Sequence, residues 1–364
     1  MGHNLTFAFT SKDEQISCHK RRIELKTMDL TTKYLGMTIK NPLVPSASPL
    51  SKTLDTARAL EDAGAAALIL ASLFEEAIVA EEETMARFLH HQDTGFGEAE
   101  SFLPAREREF LSSLDRYLEH LATLKQSLDI PVIASLNGIT PGGWIRNARV
   151  IEEAGADALE LNVYYVAADP EQSGVQVEQR YLALLRDLEQ HIAIPVNMKL
   201  SPSFSSVSHM VSQLEKVGVN GVALFNRFYQ PDINIDSMRL VSSLSPSNST
   251  DALLAMRWIA ILHGRTELSL GATGGVHTAE DAIKLLLAGA DVVHLCSALL
   301  AHGPAYLGKV LEGIRSWMEE QGMEGLDQIR GRVSQSTIAD PTEFERANYI
   351  KVLDGYSISP GAWM

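Results

Sequence analysis

The chain has 364 residues, of which 45% are hydrophobic and 21% charged, and it carries a formal net charge of -15. This is a globular composition with ample length for a sizeable core, and an acidic surface repels phosphate backbones, which speaks against a nucleic-acid partner. The two cysteines, Cys18 and Cys296, give neither a disulfide framework nor a metal-ligand spacing, and they suit a reducing, cytoplasmic setting.

Residues 1–27 are polar and contain "HKRR" but no apolar core of a signal peptide, so they are expected to be a mobile arm. No apolar run approaches the ~18 residues that a membrane span needs. A domain is expected over 28–340, followed by a C-terminal extension at 341–364. Its first strand is placed near 43–46, in "PLVPSA". One phrase then recurs four times: "LEDAGAAALILAS" from Leu60, "IEEAGADALELN" from Ile151, "LEKVGVNGVALFN" from Leu214 and "LLLAGADVVHLCS" from Leu285. Each reads as a helix end, a glycine able to take a left-handed cap, and a continuously apolar strand covered on both faces. Further strands are expected in "PVIAS", "PVNMKL" and "ELSLGA". The eight strands fall near 43–46, 67–71, 131–135, 157–162, 195–199, 221–225, 268–272 and 291–295. Helix and strand in alternation mean parallel strands with crossover helices. Eight such units predict an α/β fold, a TIM (β/α)8 barrel. A doubly wound open sheet is the alternative, but the Gly-rich dinucleotide turn after the first strand is missing. Two long loops, 74–113 and 227–256, follow strands and are read as lids or oligomer contacts.

In a barrel the C-terminal strand ends carry the chemistry. Here they offer Ser46-Ala47-Ser48, Ala71-Ser72, Asn137, Asn162, Lys199, Asn226-Arg227, "GATGGVHT" and Cys296-Ser297. With no paired carboxylates and no ligand cluster there, glycosidase and metal chemistry fit poorly. Gly274 and Gly275 stand between a strand and a helix start, where bare backbone N–H groups can hold a phosphate; a plain tight turn is the other reading. Lys199 could stabilise an anionic cofactor edge, form a Schiff base, or simply pair within the barrel core.

These phrases, with "YLGMTIKNPLVPSAS", "MKLSP" and "GATGGVHTAEDAIKLLLAGADVVHLCSALLAHGP", resemble the dihydroorotate dehydrogenase family, in its soluble FMN-dependent branch. The resemblance implies FMN as cofactor, with Gly274, Gly275, Cys296 and Ser297 around its phosphate. It places Ala47 and Ser72 along the ring, and Asn137 and Lys199 at the ring edge. Asn162 would lie between flavin and substrate, with Asn226 and Arg227 on the substrate side. It implies hydride transfer between a dihydroorotate-like ring and the flavin, an unidentified electron acceptor, and dimerisation through the mouth loops. Pyrimidine biosynthesis follows if the substrate is dihydroorotate. The chain departs from the pattern after Asn162. The family's Cys or Ser base is replaced within Val163-Tyr164-Tyr165-Val166-Ala167, and Tyr165 falls at its position. Tyr165 is therefore expected to be the proton donor, or else to pack in a lid. The strand-two Lys-Ser is Ala71-Ser72, and a substrate loop reads "AESFLP" over 99–104. A lyase using Lys199, or a barrel that binds a phosphorylated ligand without turnover, remain the alternatives.

Overall fold

The computed structural model describes residues 28–92, 112–138, 141–242 and 244–355. Eight parallel strands form the body: β1 Leu43–Pro45, β2 Leu68–Ile69, β3 Val132–Asn137, β4 Ala158–Asn162, β5 Val196–Leu200, β6 Gly221–Leu224, β7 Ser269–Thr273 and β8 Val292–Leu295. They pair in the order β1-β8-β7-β6-β5-β4-β3-β2. The Ala66 N–H donates to Leu43 C=O over 3.0 Å and brings the two ends of that order together. The result is the expected (β/α)8 barrel.

The repeated phrase is explained by two jobs. Its glycines, Gly64, Gly155, Gly218 and Gly289, all sit at φ between 92° and 120°, the left-handed region that a side chain resists. In three of the four repeats a glutamate ties the helix end to a later loop. Glu61 accepts from the Asp129 and Ile130 N–H groups, Glu152 from those of Ala193 and Ile194, and Glu215 from that of Glu267. Three loops that lead into strands are thereby fixed from the neighbouring helix end.

Strand alternation divides the core in two. Leu159, Leu161, Met198, Leu200, Val222 and Leu224 face the helices and are fully buried. A full burial of this kind contributes about 1.5–3 kcal/mol per side chain. The barrel interior is lined at one end by Val44, Ala67, Ile69, Ile133, Ala158 and Val292, packed with Tyr34, Leu35 and Ile39. Those three belong to a hairpin, Thr32–Tyr34 with Met37–Ile39, that stoppers the bottom of the barrel. Leu35 N–H donates to Ser269 Oγ over 2.9 Å.

The two long loops are more structured than the sequence reading expected. Residues Glu75–Gln92 form a helix, a second helix, Ser113–Ser127, begins where the first loop ends, and Asp232–Asn234 pairs with Arg239–Val241 as an exposed hairpin. The "AESFLP" phrase and the arm at 1–27 lie outside the described residues. Among the described residues no helix is long and apolar enough to cross a membrane.

Candidate functional site at the barrel mouth

A cavity of about 690 Å³ opens at the C-terminal ends of the strands. All eight strand ends contribute: Ala47 after β1, Ser72 after β2, Asn137 on β3, Asn162 on β4, Lys199 on β5, Asn226 and Arg227 after β6, Gly274 and Gly275 after β7, and Cys296 and Ser297 after β8. Of the expected site residues only Tyr165 is elsewhere.

Tyr165 donates its hydroxyl to Gln172 Oε1 over 2.5 Å, and the Arg180 guanidinium lies 4.2 Å from its ring centre. Tyr164 lines the cavity instead. The cause is the two-residue period of an extended chain: Asn162 faces the cavity, so Tyr164 does and Tyr165 does not. Tyr164 stacks on Phe228 at 4.1 Å between ring centres, and its hydroxyl donates to Tyr229 C=O over 3.4 Å. The loops after β4 and β6 thus share one aromatic wall. Below it the side chains of Asn162 and Asn226 are joined, Asn226 Nδ2 donating to Asn162 Oδ1 over 2.6 Å.

Lys199 stands on the cavity floor, and its ammonium is 3.4 Å from Glu160 Oε1 and 3.3 Å from Ser46 Oγ. Glu160 is completely buried and also accepts from Asn197 Nδ2 over 3.1 Å. The lysine is therefore both a cavity residue and a core ion pair, two roles that sequence reasoning treated as rivals. Glu160 was missed, although it shares the inward face of β4 with Asn162, two residues on. A nitrogen occupied in this way is poorly placed to attack a carbonyl, which disfavours Schiff-base chemistry. Beside it, His294 on β8 is buried, with Nε2 3.3 Å from the Tyr34 hydroxyl. Burial, and secondarily the Lys199 charge, push His294 down to about 3. Burial pushes the Cys296 thiol up, with Lys199 opposing.

At the other side of the cavity, Gly274 has open space where a side chain would go, whereas a Cβ on Gly275 would run into the backbone of Asp251 and Ala252. Both have positive φ, 94° and 76°. Ser247 donates its hydroxyl to Ser297 Oγ over 3.0 Å and also meets His277 Nε2 at 3.1 Å. The helix that follows, Ala279–Ala288, opens with a capping box. Asp281 accepts from the His277 and Thr278 N–H groups, and Thr278 Oγ1 caps the Asp281 N–H, so a carboxylate already stands at this helix start. Burial raises Asp281, but hydrogen bonds from His277, Ser249 and Thr278 outweigh it and hold its carboxyl below the ordinary range. The glycine turn and the Ser247–Ser297 hydroxyls border this side of the cavity. A bare-backbone cradle, a cationic floor and an aromatic wall around this volume fit a planar ring that carries one phosphate. No cluster of possible metal ligands occurs among the described residues.

Fold and site define an α/β-barrel enzyme with a cofactor-sized cavity at its mouth. The family model for dihydroorotate dehydrogenase matches residues 109–318. A putative dihydroorotate dehydrogenase A (fumarate) of Aeropyrum pernix is 30% identical over 223 residues, 58% of this chain and 70% of that protein. The PreA subunit of an NAD-dependent dihydropyrimidine dehydrogenase from Escherichia coli is 25% identical over 89% of this chain and 81% of its own length. The catalytic subunit of dihydroorotate dehydrogenase B (NAD(+)) from Pyrococcus furiosus is 25% identical over 84% and 98%. The chain belongs to the dihydroorotate dehydrogenase family and is a flavin oxidoreductase of that type, acting on CH–CH bonds.

Proposed function

We propose that the cavity binds FMN and that the protein moves hydride between the flavin and a CH–CH bond of a small ring related to dihydroorotate. The observation that carries this reading is the convergence of every expected flavin and substrate residue except Tyr165 on one cavity. FMN is favoured over FAD because the phosphate cradle is one glycine turn, without a dinucleotide fingerprint elsewhere. When bound, FMN supplies the hydride acceptor or donor.

The chain's own residues do the rest. Gly274, Gly275 and Ser297 hold the phosphate, while Ala47, Ser72 and Asn137 border the ring. Lys199 answers negative charge that develops at the ring edge. Asn162 and Asn226 present amide donors and acceptors to an imide-bearing substrate. The proton comes from Tyr164, the tyrosine of the pair that lines the cavity. A phenol is a weak base but a competent donor at neutral pH, which suits reduction of an activated ring alkene. Oxidation of dihydroorotate is expected to be slow, since neither Cys nor Ser stands at 164 or 165.

Chromatography of the chromophore extracted from purified protein tests the cofactor. FMN is expected, and FAD, or no flavin after reconstitution, overturns the reading. A substrate panel then compares dihydroorotate with uncharged dihydropyrimidines and with the corresponding alkenes in the reductive direction.

A further inference from the structure

The floor of the cavity is built as a dipole. Lys199 faces the cavity, and its counter-ion Glu160 lies at the same inward face one strand away, with Asn162 beyond it toward the mouth. Residues 160 and 197 pair in register, as do 162 and 199. Glu160 therefore sits one inward layer below Lys199, level with Asn197. The Glu160 side chain is fully buried and that of Lys199 is 9% exposed. Both carboxylate oxygens are engaged, Oε1 by Lys199 and Oε2 by Asn197. The ammonium spends two of its three N–H groups on Glu160 and Ser46, which leaves one for the cavity.

The groups packed around this pair add no second charge. His294 is neutral at working pH, with burial the main reason. Tyr34 is held far above its ordinary range by burial and by Glu160, and burial raises the Tyr117 hydroxyl as well, so neither ionises. Cys296 is raised by burial. Lys52, Glu76 and Arg227 also line the cavity but are exposed, and at its floor stand one positive and one negative buried charge, the positive one nearer. Buried charges act more strongly on a ligand above them than the same charges would in water.

We propose that Glu160 is a positioning residue that fixes Lys199 on the cavity floor and, as its buried counter-charge, lowers the two-electron potential of the bound flavin. Rested on the flavin reading, this assigns a role to a carboxylate that touches neither cofactor nor substrate. A reduced flavin carries more electron density at its ring edge than an oxidised one. An unbalanced lysine would favour the reduced form strongly, and the flavin would then give up electrons reluctantly. The negative charge one layer down moderates that preference while holding the ammonium in place.

The test is the midpoint potential of FMN in the holoenzyme, measured by dye equilibration, in wild type, Glu160→Gln, Lys199→Met and the double variant. Glu160→Gln keeps the size and the amide contact to Asn197 but removes the charge. Its potential is expected above wild type by about 30 mV or more, which is a tenfold change in the ratio of reduced to oxidised FMN affinity. Lys199→Met is expected below wild type, with the double variant between the two. Should Glu160→Gln fail to fold with Lys199 unpaired, the double variant against Lys199→Met makes the same comparison, and the double variant is expected higher. A Glu160 that only supports the fold predicts equal potentials within each comparison, and that result overturns the proposal. Wild-type protein that takes up no FMN overturns the flavin reading itself, and this inference with it.

Discussion

The amides of Asn162 and Asn226 meet across the end of β5, Nδ2 of the second donating to Oδ1 of the first over 2.6 Å. Their strands are not neighbours in the sheet, so the pair spans the position above Lys199. The bond leaves Asn162 with its N–H groups and Asn226 with its carbonyl oxygen. Asn226→Ala should therefore raise KM for the ring substrate about tenfold, the worth of one to two hydrogen bonds, with FMN content unchanged. Steady-state kinetics beside the flavin-to-protein absorbance ratio measures both.

Gly274 and Gly275 should respond differently to substitution. A side chain at Gly275 meets the backbone of Asp251 and Ala252, while one at Gly274 meets open space. Gly275→Ala should lower the thermal midpoint sharply. Gly274→Asp should fold, at a strain cost of about 1–2 kcal/mol from its positive φ, and should purify without FMN because its carboxylate meets the phosphate. Stoichiometric FMN in folded Gly274→Asp would remove the phosphate assignment.

The two tyrosines should separate catalysis from stability. Tyr164→Phe should slow turnover by about 10²-fold or more, the span of general acid catalysis, and leave the fold intact. Tyr165→Phe loses the bond to Gln172. That should cost about 1 kcal/mol in denaturant unfolding and change turnover by no more than a few-fold. The reverse pattern would return the proton to Tyr165.

His294 should shape the acid limb of stability. Its folded value, about 3, lies below the ~6.5 of an unfolded histidine. The unfolded chain then binds the extra proton first as pH falls. The contribution is complete above pH 6.5 and is lost progressively toward pH 3, at up to about 1.4 kcal/mol per pH unit. His294→Gln should flatten this limb in urea titrations at pH 4.5 to 7. An unchanged slope would mean that the ring is charged in the folded protein.

Much of this was legible in the chain. The repeated Gly with an apolar run located half of the strands, because a left-handed cap and a doubly covered strand leave few sequence options. Strand parity carries more than the family motif does. Counting by twos from Asn162 puts Glu160 in the barrel and Tyr164 at the cavity, whereas the family motif points to Tyr165. The Thr278-x-x-Asp281 spacing is itself a capping-box signature, and it places a carboxylate at that helix start. Contacts between distant loops, such as Tyr164 on Phe228, leave no local pattern and needed the structure.

The stopper formed by Tyr34 and Leu35 has a kinetic consequence. With the bottom of the barrel filled, small molecules reach the cavity from the mouth alone among the described surfaces. If electron donor and acceptor are both small diffusible molecules, they share one doorway, and the first product must depart before the second reactant arrives. Such traffic gives parallel lines in double-reciprocal plots, and each reactant at high concentration competes with the other for the vacant entrance.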